Sequence, residues 1–105
     1  MSCISKTPKP PYYAVIFTSI RTDGDKGYGK TAARMLDLAA TQDGYLGVES
    51  AREGLGITVS YWADLQSIKL WREHCEHVEA RKTGRESWYS SFKVRISKVE
   101  RDYGS

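Results

Sequence analysis

The chain is poor in the residues that would commit it to several protein classes. It has two cysteines in 105 residues, Cys3 in a tail and Cys75 in a helical pattern, which fits a reducing compartment better than a disulfide framework. A cytoplasmic address is therefore expected. No apolar run approaches the roughly 20 residues that a membrane span needs. Met1 to Pro11 carries two lysines but no apolar h-region of a signal peptide, so neither export nor membrane association is expected. All three prolines, Pro8, Pro10 and Pro11, fall in that segment. Residues 1–11 thus read as a stiff extended lead-in, and residues 12–103 as one domain. A domain this small buries only about two-thirds of its unfolded surface, so a second domain is excluded and self-association would help it. Charge of one sign is also lacking. The net charge of +3 comes from 16 basic and 13 acidic residues that are interleaved along the chain. Arg72, Glu73, Glu76, Glu79, Arg81 and Lys82 read as one solvated helix face, and no nucleic-acid partner is expected.

What is present is a clear alternation of elements. Tyr12 to Thr18 has the β-branched and aromatic content of a strand buried on both faces. After the polar, glycine-rich stretch Arg21 to Gly29, Tyr28, Ala32, Met35, Leu36 and Ala39 recur at helical spacing to about Thr41. Asp43-Gly44 is a turn, Tyr45 to Ser50 a second strand, Arg52-Glu53-Gly54 a tight connection and Gly56 to Trp62 a third strand. Asp64 is placed to cap a second helix running to Arg81, Gly84 ends it, and a fourth strand follows from Trp88 to Val99. Short connections and right-handed crossovers turn this βαββαβ order into an α+β, ferredoxin-like fold, a four-stranded antiparallel sheet with two helices on one face.

Alternation divides the strands. Phe92, Val94 and Ile96 share the face expected to meet the helices, with Tyr89, Ser91, Lys93, Arg95 and Ser97 on the other. In the third strand Ile57, Val59 and Tyr61 oppose Thr58, Ser60 and Trp62. Two helices cover only one face, so a second copy of the sheet is the expected cover for the other, giving a homodimer.

Gly24-Asp25-Lys26-Gly27-Tyr28-Gly29-Lys30-Thr31 satisfies the phosphate-loop pattern G-x-x-x-x-G-K-[ST] before a helix. That chemistry needs a loop springing directly from a parallel central strand. Ser19 to Asp23 intervene, the hairpin is antiparallel, and the chain is short for a nucleotide fold. A flexible loop and helix start is the expected role, although Asp64 would stand where a metal-binding acid belongs.

At about 100° per residue, Leu65, Ile68, Trp71, Cys75 and Val78 fall within an arc of about 140° on the second helix, its sheet-facing side. Trp71 then points inward, His74 sits at the rim of a pocket, and His77 points to water. The His74/His77 pair lacks a third ligand, so no metal is expected. Cys75, facing the core without a base on its own face, reads as packing.

The combination of Tyr12 to Phe17, Gly44 to Ser50, Gly56 to Trp62, Ile68-x-x-Trp71-Arg72-x-His74-x-x-His77-x-x-Ala80-Arg81 and Gly84-Arg85-x-x-Trp88-Tyr89 resembles the antibiotic biosynthesis monooxygenase (ABM) domain family over about residues 12 to 100. It looks most like a small, largely uncharacterised bacterial branch. The resemblance implies a dimeric α+β barrel. It also implies oxidation of an aromatic or quinol-like small molecule by dioxygen without metal, flavin or other cofactor. Trp71 would then stack the substrate and His74 serve as catalytic acid or base, while Tyr61, Trp62, Phe92 and Cys75 line the pocket. The alternative is a non-catalytic dimeric small-molecule-binding or stress-related protein of the same fold. A haem-degrading branch uses an asparagine in the first strand and a histidine ten residues after the tryptophan. Here the first strand lacks asparagine and position 81 is Arg81, so haem degradation is not expected.

Overall fold

A computed structural model describes residues 3–105, apart from the side chain of Cys75. In chain order the elements are β1 (Tyr12–Arg21), α1 (Tyr28–Ala39), β2 (Tyr45–Glu53), β3 (Leu55–Trp62), α2 (Leu65–Glu73), α3 (Cys75–Thr83), a π-helical turn (Gly84–Trp88) and β4 (Tyr89–Val99). The strands form one antiparallel sheet in the order β2-β3-β1-β4, the expected ferredoxin-like arrangement. Gly54 closes the β2–β3 hairpin and Gly44 links α1 to β2. Both have left-handed backbones, with φ of 79° and 82°, that suit glycine. Gly44 is doubly constrained, because a Cβ there would run into the Ser67 side chain.

Strand register decides which side chains share a face. Opposite Trp62 stand Tyr13 and Tyr45, opposite Val15 stand Ser60 and Ile96, and opposite Phe17 stand Thr58 and Val94. This is the helix side. Trp62, with no exposed surface, packs there with Ala39 and Ile68, and Tyr13, Val15, Tyr45 and Trp71 close around them. The Trp62 indole N–H is satisfied by Ser60 Oγ at 2.9 Å, so burying it leaves no orphaned donor. The other face carries Tyr12, Ala14 and Ile16 of β1 with Tyr61, Val59 and Ile57 of β3.

Residues 3–11 are more than a lead-in. Ser5 donates its backbone N–H to Glu49 Oε2 at 2.9 Å and its hydroxyl to the Val48 carbonyl at 3.0 Å. Thr7 donates to the Tyr12 hydroxyl at 2.9 Å, and Tyr12 donates to Asp102 at 2.5 Å. The segment straps one end of the sheet, where Tyr12 and Ala14 are buried.

Two expectations need correction. The second helix is not continuous to Arg81. At His74 the backbone is extended (φ −60°, ψ 131°), so α2 ends there and α3 begins on a new phase. Tyr89 does not share the outer face with Ser91 and Lys93. A register shift between Ile20 and Arg21 re-aims it, and its ring meets Phe17 at 5.1 Å and Tyr28 at 5.8 Å between centroids.

Candidate functional site

The break at His74 builds the site. Asp64 caps α2 by accepting the Ser67 N–H at 2.7 Å, a bond that also holds its carboxyl below the usual range. At the far end of α2, the His74 ring is itself the N-cap of α3, its Nδ1 accepting the Glu76 N–H at 3.2 Å. Restarting the helix voids the 100° count across residue 74. Val78, expected inward, is 40% exposed, whereas His77, expected in water, lies against Trp71. The two rings stack at 4.4 Å with 13° between planes, and Trp62 stacks with Trp71 at 6.3 Å and 23°. Trp71 is thus the middle ring of a three-ring pile running from the sheet outward. The His74 ring stands beside it at 5.7 Å, tilted by 44°.

Hydrogen bonding sets the chemistry of His77. Its Nδ1 lies 3.1 Å from the Trp71 carbonyl, which only accepts. Nδ1 therefore carries the proton, and Nε2 presents the lone pair. Burial pushes the imidazole down to about 4, helped by the charges of Arg81, His74 and Arg72 and opposed by the bond to Trp71. At neutral pH the ring is uncharged.

On α3 His77, Ala80 and Arg81, at i, i+3 and i+4, are half-buried, as are Glu76 and Thr83. The Arg81 guanidinium donates through Nη2 to the Arg72 carbonyl at 3.2 Å. Its Nε is buried with no acceptor among the described residues. Burial, then the neighbouring charges of Arg72 and Arg85, disfavours its cation, yet a guanidinium stays charged.

The floor is the β4 half of the sheet. Since β1 separates β3 from β4, the limb formed by α2 and α3 has to pass over β1. On that side Phe92, Val94 and Ile96 remain 45%, 45% and 50% exposed. These side chains face the helices as expected, but they stay half exposed, an apolar strip on the helix side of β4. Of the residues singled out from the sequence, Trp62, Trp71 and Phe92 are on this side and His74 caps α3. The side chain of Cys75 lies outside the described residues. Tyr61 is a correction: as the register partner of Ala14 it belongs to the opposite face. There its hydroxyl donates to Glu49 at 2.6 Å, and burial with that carboxylate pushes it up to about 12. Sequence reasoning missed His77 and Arg81. Their i,i+4 spacing ahead of Gly84 was the available signal, hidden by counting through the break.

A groove of about 560 Å³ opens elsewhere, between α1 and α3, lined in part by Lys26, Lys30, Thr31, Glu76 and Glu79. It borders the phosphate-loop-like segment, whose geometry is wrong for an anion. The Asp25 carboxylate already accepts from the Gly27 and Gly29 N–H groups, each at 3.1 Å, where a phosphate would sit. Furthermore, β1 is antiparallel to both its neighbours. Among the described residues no three of His, Cys, Asp or Glu gather as metal ligands, and no helix is long and apolar enough to cross a membrane.

The fold is that of the ABM-like α+β proteins. It aligns with a variant of SnoaB, a cofactor-independent oxygenase from Streptomyces nogalater, with a TM-score of 0.77 over 90% of this chain and 98% of that one, at 10% identity. A "Putative antibiotic biosynthesis monooxygenase" from Nitrosomonas europaea aligns at 0.71 over 90% and 94%, also at 10% identity. No protein-family model matches the chain. The chain belongs to the family of the uncharacterized protein YqjZ of Bacillus subtilis (strain 168), to which it is 57% identical over 103 residues, covering 96% of this chain and 90% of that protein.

Proposed function

We propose that the protein binds a flat aromatic or quinol-like small molecule between the α2–α3 limb and β4, and oxidises it with dioxygen without a cofactor. The observation that carries this reading is the exposed apolar strip of β4. An uncovered apolar floor at Phe92, Val94 and Ile96 shares the helix side of the sheet with Trp71 and a neutral His77. Apolar walls with a few polar groups are what a small-molecule site requires. That SnoaB is a cofactor-independent oxygenase supports the oxygenase half of the reading. His77 Nε2 replaces His74 as the group that accepts the substrate's phenolic hydrogen, because His74 Nδ1 is engaged in capping. With an anthrone, one oxygen atom becomes the new ring carbonyl and the other leaves as water, all the electrons coming from the substrate. The protein acts as a homodimer and resides in the cytoplasm in this account.

A binding-only role is favoured by one observation: a histidine brought down to about 4 is a weak base. Oxygen-electrode assays with a panel of anthrones and hydroquinones test the oxygenase reading. Uptake that depends on the protein and drops about a hundredfold in His77→Phe is expected. Ligand binding without uptake leaves the carrier role.

A further inference from the structure

Strand register sets Arg52 opposite Gly56, Gly56 opposite Ser19, and Ser19 opposite Phe92, so one row across the helix side of the sheet reads Arg52, Gly56, Ser19, Phe92. Gly56 has no side chain, and the Arg52 guanidinium lies across it, where a Cβ would run into it. It then donates through Nη1 to the Ser19 carbonyl at 3.2 Å and through Nη2 to Ser19 Oγ at 2.6 Å. These bonds satisfy a buried hydroxyl and hold a flexible cation one strand spacing, about 5 Å, from β4. A guanidinium has five N–H donors, and among the described residues Arg52 uses only these two. The described ion pairs join Arg34 to Glu76 and Lys69 to Glu73, so no described carboxylate neutralises it. Arg21 differs, because its guanidinium is spent on the Trp88, Gly24 and Asp25 carbonyls, whereas Arg52 is exposed and keeps donors for a partner. Beside it the rings of Phe17, Tyr89 and Phe92 form a cluster with centroids 5.1 to 6.1 Å apart. Burial pushes the Tyr89 hydroxyl up and the charge of Arg52 opposes that shift, so the field of the guanidinium reaches this cluster.

We infer that the ligand of the β4 site is an aromatic carboxylate, its carboxylate accepting from Arg52 at the Phe92 end of the strip and its ring lying toward Val94 and Ile96. This inference rests on the reading of the strip as a small-molecule site and narrows it to a charged ligand class. A carboxylate matches the planar fork of the guanidinium. The two bonds to Ser19 already order the side chain, which spares the ligand that entropic cost. The exposed apolar residues beside the charge call for an apolar body attached to the anion, which a free inorganic anion lacks.

Calorimetric titration at neutral pH with 2-naphthoate and its neutral isostere 2-naphthamide separates the two claims. The wild-type protein is expected to bind the carboxylate at least about tenfold more tightly than the amide. Arg52→Gln should remove that preference while leaving amide affinity within about twofold, which also certifies that the variant is folded. Lys93→Gln removes the same charge from the opposite face, where Lys93 pairs with Thr18, and should keep the preference. Gly56→Ala retains the charge but dislodges the guanidinium from Ser19, and should cut the preference to about threefold or less. That variant decides the question if Arg52→Gln binds neither probe. Equal wild-type affinity for both probes, a preference unchanged in Arg52→Gln or Gly56→Ala, or an equal loss in Lys93→Gln overturns the Arg52 subsite and leaves the aromatic site standing. Wild-type binding of neither probe overturns both.

Discussion

His77 and Trp71 hold each other in place, and the cost of that arrangement falls on the imidazole. The unfolded chain titrates this ring at its ordinary 6.5, and the folded one at about 4. Between these values the unfolded state binds more protons, so stability rises with pH. The contribution is complete above 6.5 and is lost as pH falls toward 4. Replacing the ring with one that does not titrate should flatten this limb: His77→Phe is expected to lose clearly less stability across the window in which the wild type loses on the order of 3 kcal/mol. An equally steep acid limb in the variant would place the titrating group elsewhere. None of this was legible in the sequence, because the residues near 74 carry no Gly or Pro to mark the break. A histidine at an N-cap, accepting through its ring, lies outside the Ser, Thr, Asp and Asn pattern by which helix starts are recognised. Trp71 by contrast was readable, since Asp64 fixes the start of α2 and seven residues is too short a count for phase to drift.

Elements show the same division. The four strands and α1 fell close to where alternation and helical spacing put them, because glycine-marked turns at Gly44 and Gly54 bound them and their apolar faces are unambiguous. What escaped were features made by contacts distant in sequence: the strap of residues 3–11 on Glu49, and the register shift that turns Tyr89 inward. The restart of the limb at α3 depends on the His74 cap. His74→Ala removes the acceptor for the Glu76 N–H and is expected to cost about 1 kcal/mol, with faster amide exchange confined to the first turn of α3. His74→Asn, which restores a capping acceptor, should recover most of the loss. Faster exchange spread over the whole domain would show that the ring does something other than cap.

For the molecule as a whole, one sheet face has no helix over it. The strap covers the end at Tyr12 and Ala14, while Ile20, Leu55 and Ile57 stay exposed at the other end. A patch of this kind on an antiparallel sheet is unfavourable in water and self-complementary about a two-fold axis. Sedimentation equilibrium is therefore expected to give a dimer for the wild type, and a monomer for Ile57→Asp that keeps its far-ultraviolet circular dichroism. A wild-type monomer at micromolar concentration would refute the pairing. Alternation in β3 separated Ile57, Val59 and Tyr61 from Thr58, Ser60 and Trp62 without deciding which set meets the helices; the strand register decides it. Neighbouring strand residues point to opposite faces, so Tyr61 and Trp62 could not both line one pocket, and it is Trp62 that meets the helices.

The central claim is that an aromatic ligand occupies the helix side of β4. Methyl-resolved NMR during titration with 2-naphthoate addresses it directly, because a ring lying on the floor shifts the methyl signals it covers. The account predicts saturable ring-current shifts at Val94 and Ile96 and none at Leu55 and Ile57 on the opposite face. Shifts confined to Leu55 and Ile57, or no saturable shift at Val94 and Ile96, would contradict it.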